Sequence, residues 1–102
     1  MTEYAVVNIY GIPGTKQTHS KPTKTYNSIK DARKAAMRYR MLKNGPGWIV
    51  RLYADNSASI VGQVWNLNMS WKNYSGWVYE DKTSRMEKMY VLNKDGSIGR
   101  EL

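Results

Sequence analysis

The sequence contains no cysteine, no phenylalanine and no long hydrophobic run. Without cysteine the chain cannot form a disulfide or bind zinc through thiolates, and a cytoplasmic location is expected. No apolar stretch approaches the ~20 residues that a membrane-spanning helix requires. Glu3, and the lack of a basic segment before the first apolar run, argue against a signal peptide. We therefore expect a cytoplasmic protein with no membrane partner.

Tryptophan and tyrosine supply much of the apolar mass that phenylalanine and leucine usually provide. The chain has four Trp, eight Tyr and six Met in 102 residues. This length predicts a single domain, residues 1–102. Trp and Tyr are common both in small β-rich cores and at binding surfaces, because their rings are apolar and their edges carry hydrogen-bonding groups. Composition alone leaves both roles open for each aromatic residue.

Acidic residues are almost absent from one part of the chain. Between Lys16 and Lys43 there are nine basic residues and one acid, Asp31, and this stretch accounts for the whole net charge of +8. Basic and acidic residues balance over the rest of the sequence. Concentrated positive charge attracts polyanions, so the expected partner is nucleic acid or an acidic protein surface.

The pattern of apolar residues and turn signals predicts an α+β fold. Predicted strands cover 3–10, 48–54, 58–66, 69–72, 77–80, 85–92 and 97–100. A polar loop over 11–27 separates the first strand from the only helix, which is predicted over 28–43. Consecutive hairpins favour an antiparallel sheet. We expect one helix packed on one face of a twisted antiparallel sheet of about five to six strands, in the order β-loop-α-β-β-β-β-β.

The predicted helix has a capping signal and two distinct faces. Ser28 and Asp31 form a variant capping box, and the segment Asn44-Gly45-Pro46-Gly47 ends the helix. On a helical wheel the apolar face carries Ile29, Ala32, Ala35, Ala36, Tyr39 and Leu42. Opposite lie Lys30, Arg33, Lys34, Met37, Arg38 and Met41, with Arg40 at the margin. The basic face predicts phosphate contacts; the alternative is a solvated helix surface.

The loop over 11–27 is long for a connection in a compact domain. Loops of such length are usually functional or mobile. Lys16, Lys21 and Lys24 alternate with hydroxyl-bearing residues, which is typical of basic arms that contact phosphates. The alternative is a hydrophilic loop without a binding role. The predicted nucleic-acid-binding residues are Lys16, Lys21, Lys24, Lys30, Arg33, Lys34, Arg38 and Arg40.

Strand alternation predicts which sheet residues face the helix. We expect Ala5, Val7 and Ile9 to face it, together with Trp48, Val50 and Leu52 from the next strand. The opposite face would then carry Tyr10, Arg51, Tyr53 and Trp65, which can stack on bases. Aliphatic residues share that face, so a curled sheet that buries it, or a homodimer interface, is the alternative.

No pattern in the sequence indicates catalysis, a cofactor or a metal site. The one histidine, His19, lies in the loop without an identifiable partner, and the carboxylates show no metal-binding or acid–base spacing. We therefore expect a small non-enzymatic domain that binds nucleic acid through residues 28–43 and 16–24. The alternative is an adaptor or inhibitor of the kind encoded by phages and mobile elements, docking its basic surface on a host protein.

Overall fold

A computed structural model of the chain describes one α+β unit. The described residues are 2–7, 9–10, 18–19, 24–42, 47–55, 57–86 and 88–102. The elements are β1 (Glu3–Val7), β2 (Ile9–Tyr10), β3 (Thr18–His19), α1 (Ile29–Leu42), β4 (Gly47–Leu52), β5 (Ala58–Trp71), β6 (Tyr74–Asp81), β7 (Lys88–Leu92) and β8 (Ile98–Glu101).

Six of these strands form one antiparallel sheet in the order β1-β4-β5-β6-β7-β8. β4 to β8 follow one another as hairpins, and the chain between β1 and β4 contains α1. The helix packs on one face of the sheet, over β1, β4 and β5. This arrangement confirms the predicted α+β fold with a single helix on an antiparallel sheet. β2 and β3 pair with each other as a separate two-stranded ribbon.

The start of α1 follows the predicted capping signal. The Ser28 hydroxyl oxygen accepts a hydrogen bond of 3.1 Å from the backbone N–H of Asp31, which satisfies one of the unpaired donors of the first turn. Further along, Ala32 and Ala36 are fully buried against the sheet. Their small side chains let the helix lie close to the strands, as the alanine-rich sequence predicts.

The hairpin between β5 and β6 differs from the prediction. β5 is one continuous strand of 14 residues, whereas two shorter strands and a turn at Asn73-Tyr74-Ser75-Gly76 were expected. The turn residues are Lys72 and Asn73, whose φ angles are +48° and +61°, and Trp71 pairs with Tyr74 across them. Positive φ at both central residues is the signature of a type I′ turn. β7 likewise begins at Lys88 rather than at Arg85.

In β1 and β4 the two faces of the sheet are the reverse of those predicted. Val6 and Ile49 pack with the buried residues of α1, whereas Ala5, Val7 and Val50 form a second cluster. This second cluster also includes the partly buried Trp48, Leu52, Ala58 and Ile60. Ile9, expected to face the helix, lies in the separate ribbon. Residues 4–7 are all apolar or aromatic, so alternation along β1 carries no preference for either face.

Gly62, next to a bulge in β5, makes room for Tyr79, the largest fully buried side chain among the described residues. The register shifts between Ile49 and Val50, which leaves Val61 as an extra residue in β5. The Tyr79 ring lies over Gly62, and its hydroxyl donates a 3.2 Å hydrogen bond to the carbonyl of Val61. A side chain at residue 62 would overlap the phenol ring. The absence of a Cβ there is therefore what allows Tyr79 to lie flat on the sheet.

The segment before the helix extends the sheet edge. Tyr26 and Tyr4 exchange two backbone hydrogen bonds of 2.8 Å, each residue donating its N–H to the carbonyl of the other. They form an isolated antiparallel bridge on the outer side of β1. Within the predicted loop, residues 11–17 and 20–23 lie outside the described residues. The bridge fixes the position of the last part of the loop relative to α1.

Substitution of Gly62 by alanine should destabilise the fold by about 1–3 kcal/mol, the usual cost of overpacking a core. The reason is the overlap of the new methyl group with the Tyr79 ring. Urea unfolding followed by tryptophan fluorescence measures the change. In a Tyr79→Leu background the overlapping ring atoms are absent, so the same Gly62→Ala change should cost much less. Equal costs in the two backgrounds would contradict the packing described here.

Candidate functional site

The buried face of α1 is rotated from the predicted one and includes a basic residue. Arg33, predicted on the exposed face, is only 8% exposed, and Met37 is also buried. Ala35, predicted on the buried face, is half-buried. The buried stripe consists of Ala32, Arg33, Ala36 and Met37, with the partly buried Ile29 packed against it. The prediction that Arg33 belongs to a solvent-facing basic surface is therefore wrong.

Arg33 is buried because its guanidinium has two specific partners on the neighbouring elements. Its Nε donates a 2.9 Å hydrogen bond to the carbonyl of Gly96, and its Cζ lies 4.9 Å from the centroid of the Tyr79 ring. A guanidinium can stack on an aromatic face while its edge donates hydrogen bonds. These contacts replace water around part of the charge, so Arg33 packs with the apolar residues of the helix.

Gly96, whose carbonyl accepts the hydrogen bond from Arg33, lies in the turn between β7 and β8. This turn was predicted over 93–96, and the hydrogen bonds from Gly96 N–H to the Asn93 carbonyl and from Asn93 N–H to the Ser97 carbonyl, both 3.0 Å, confirm it. Gly96 has φ +90°, and a Cβ there would overlap the Lys30 carbonyl oxygen. The close approach of turn and helix therefore requires glycine.

Lys30 also lies beside this turn, although it remains exposed to solvent. Its Nζ lies 3.5 Å from a carboxylate oxygen of Asp95, and both side chains are more than half exposed. Hydrogen bonds from the Ser97 hydroxyl and backbone N–H lower the pKa of Asp95 to about 2, with a smaller contribution from the Lys30 charge. The positive charge of Lys30 is thus paired with a carboxylate that stays ionised.

Two further helix cations, Lys34 and Arg38, line a cleft on the other side of α1. This cleft is open to solvent, has a volume of about 490 Å³ and is lined by Lys24, Tyr26, Asp31, Lys34, Ala35 and Arg38. The helical residues recur every three or four positions and therefore share one stripe. Tyr26 forms the opposite wall, and the Lys24 ammonium lies 5.4 Å from the centroid of its ring. Three cations and one carboxylate converge here.

A second basic and aromatic pair lies on the same face of the sheet. The Arg51 guanidinium lies 5.4 Å from the centroid of the Tyr53 ring, and the Tyr53 and Ser59 hydroxyls share a hydrogen bond of 3.0 Å. Arg51 stands opposite Tyr4 in the β1–β4 register, and Tyr4 stands opposite Tyr26. Directly opposed residues of antiparallel strands share a face. Arg51 and Tyr53 therefore lie on the helix side of the sheet.

This placement divides the predicted stacking surface. Val64 belongs to the helix-side cluster, so the next residue, Trp65, points to the opposite face. The Trp65 indole nitrogen is buried without a hydrogen-bond partner among the described residues. Tyr10 lies in β2, and its side chain is outside what the structure describes. Among the residues of this set whose side chains are described, only Arg51 and Tyr53 are brought together.

The predicted nucleic-acid-binding residues have different surroundings. Lys24, Lys34 and Arg38 share the cleft, whereas Lys30 and Arg33 contact the β7–β8 turn. Lys16 and Lys21 lie outside the described residues, as does the side chain of Arg40, which belongs to α1. Sequence reasoning missed Tyr26. The signal that could have identified it is the spacing of Lys24 and Tyr26. In an extended segment, residues two positions apart point to the same side, so Tyr26 would be expected beside Lys24.

Comparisons with protein-family models, curated proteins and solved structures found no match to this chain. Among the residues described above, no group of three or more His, Asp or Glu side chains is arranged to hold a metal ion. The described part of the chain also contains no helix that is long and apolar enough to cross a membrane.

Replacement of Arg33 by glutamine should destabilise the protein by about 1–3 kcal/mol, because the carbonyl of Gly96 loses a charged donor in a buried position. Lys34→Gln, one residue along the helix, changes an exposed side chain and should shift stability by less than about 0.5 kcal/mol. Urea unfolding of the two variants provides the comparison. Similar losses for both would mean that Arg33 does not anchor the helix.

The unfolding free energy should fall as the pH rises from about 10 to about 12. Burial raises the pKa of Tyr79 from 10.0 to about 12, and the Arg33 charge opposes part of this increase. In that interval the unfolded chain loses the phenolic proton while the folded state keeps it, so stability decreases by up to about 1.4 kcal/mol per pH unit. Below pH 10 Tyr79 is protonated in both states, so the stability that it contributes is fully present.

Urea unfolding at several pH values, with Tyr79→Phe as the control, measures this dependence. The phenylalanine variant has no phenolic proton at this position, so its stability should depend less on pH over the same interval. If the free energy of unfolding depended on pH in the same way for both proteins, the pKa of Tyr79 would be the same in the folded and unfolded states, which would contradict the prediction.

Proposed function

We propose that this domain binds nucleic acid, with the phosphate backbone lying in the cleft of Lys24, Lys34 and Arg38. The observation that carries the proposal is the convergence of these three side chains on one open concave surface. Asp31 is the single acid that lines it. Phosphate contacts of this kind supply most of the affinity of proteins that bind nucleic acid without reading its sequence.

The geometry of the helix suits a chain of repeated charges. Lys34 and Arg38 are separated by one helical turn, so their Cβ atoms lie about 5–6 Å apart. Both side chains are exposed, and long flexible side chains at this spacing can reach neighbouring phosphates. Lys24 contributes from the segment across the cleft, where its contact with Tyr26 supports the ammonium.

An acidic protein surface is the alternative partner, since carboxylates would also satisfy these cations. The nucleic-acid proposal is preferred because the cleft is open and lined along a helical stripe, which suits an extended polyanion. A pull-down from lysate with and without nuclease separates the two. A stoichiometric protein partner that survives nuclease treatment would favour the adaptor or inhibitor function and contradict the proposal.

The double variant K34Q/R38Q should weaken binding of an oligonucleotide by about tenfold, at roughly 0.7 kcal/mol for each exposed ion pair. It should also reduce the slope of log K against log salt by about 1.5, because two phosphate contacts are lost. Fluorescence anisotropy over a series of salt concentrations measures both quantities. The matched control is R85Q/K88Q, which also removes one arginine and one lysine. These two residues are exposed and lie at or near β7, toward the edge of the sheet that is far from β1.

The variant D31N gives a change of opposite sign. It removes the carboxylate from the cleft at nearly constant volume, so binding should become tighter. A variant that merely damaged the fold would not bind more tightly. Equal effects of the cleft and control double variants, or binding that does not depend on salt, would contradict the proposed function.

A further inference from the structure

We infer that the bound nucleic acid is single-stranded and that one of its bases stacks on Tyr53. This inference rests on the proposed function, because it takes the phosphates to lie in the cleft. The inference adds a position that binds a base, Tyr53, to the cleft that binds the phosphate backbone. The two positions lie on the same face of the sheet, so a single strand can occupy both.

Tyr53 has the properties of a stacking platform. Its side chain is 44% exposed, although exposure of a large aromatic ring to water is unfavourable. The hydrogen bond with Ser59 holds the hydroxyl, and the Arg51 guanidinium lies against the ring. The ring is therefore oriented before any ligand binds, which lowers the entropic cost of stacking. Exposed tyrosine and arginine side chains are the usual supports for unpaired bases.

The sheet register connects this platform to the cleft. Tyr4 in β1 stands opposite Arg51 in β4 on one side and opposite Tyr26, in the segment bridged to β1, on the other. Adjacent strands are about 4.8 Å apart, so Arg51 lies about 10 Å across the face from Tyr26. One or two nucleotides of an extended strand span such a distance. A strand held in the cleft can therefore place a base on Tyr53.

A duplex cannot use the platform in this way, because its bases are stacked on one another inside the helix. The opposite face of the sheet also carries aromatic residues, including Trp48 and Trp65. There Trp48 packs with the aliphatic Val50, Leu52 and Ile60. Trp65 stands opposite Val78 in the β5–β6 register. Among the described residues, exposed Arg100 also lies 5.9 Å from the centroid of the Tyr74 ring, but that ring is half-buried, whereas the Tyr53 ring is exposed.

The test measures anisotropy of labelled single-stranded and duplex oligonucleotides of about 12 nucleotides, a length within the range of single-strand binding sites. The variant Y53A should weaken single-strand binding by about tenfold, the typical effect of losing one stacked base, and leave duplex binding within about twofold. The matched control Y53F keeps the ring and should bind single strands within about twofold of the unmodified protein. Thermal unfolding of both variants checks that the fold is intact.

The outcomes separate this inference from the proposed function. One outcome is that binding depends on salt and is weakened by K34Q/R38Q, while Y53A binds with the same affinity as the unmodified protein. This result would overturn the stacking platform but not the proposed binding of phosphates in the cleft. No salt-dependent binding of either oligonucleotide would overturn both. Tighter binding of the duplex than of the single strand would also overturn the inference. DNA and RNA single strands are tested in parallel, and loss of affinity of Y53A for either one supports it.

Discussion

The contact between Arg33, Tyr79 and Gly96 determines how the helix is rotated on the sheet, and through that rotation which charges reach solvent. The guanidinium lies on the Tyr79 ring and donates to the Gly96 carbonyl. Arg33 is thereby part of the core of a strongly basic protein. Once it is buried, the helical spacing directs Lys30 to the β7–β8 turn and directs Lys34 and Arg38 to the other side of α1.

Two glycines make this contact sterically feasible. The ring of Tyr79 can lie flat because Gly62 has no side chain, and the β7–β8 turn can approach the helix because Gly96 has none. Both positions belong to strands or turns that are distant in sequence from α1. The surface charge pattern of residues 24–38 is therefore set partly by packing constraints in residues 62–96.

Local signals in the sequence were sufficient for the single helix on an antiparallel sheet, its cap at Ser28 and the turn over 93–96, but not for the β2–β3 ribbon or the length of β5. The helix rotation could not be predicted, because a helical wheel treats arginine as polar and contains no information on the aromatic ring that receives it. The sheet faces could not be predicted either, because residues 4–7 are apolar on both sides. Lys24, Lys34 and Arg38 were identified from charge alone, but their convergence with Tyr26 depends on the bridge between Tyr26 and Tyr4, a tertiary contact.

We propose that one face of the domain, formed by the cleft and the Arg51–Tyr53 pair, receives a polyanion strand. The most direct measurement is a titration of isotope-labelled protein with a short oligonucleotide, followed by amide chemical shifts in NMR spectra. We predict that the largest shifts occur in residues 24–26, 34–38 and 51–53, with little change in β7 and β8. Shifts centred on Trp48 and Trp65, or no shifts at low salt, would contradict the account.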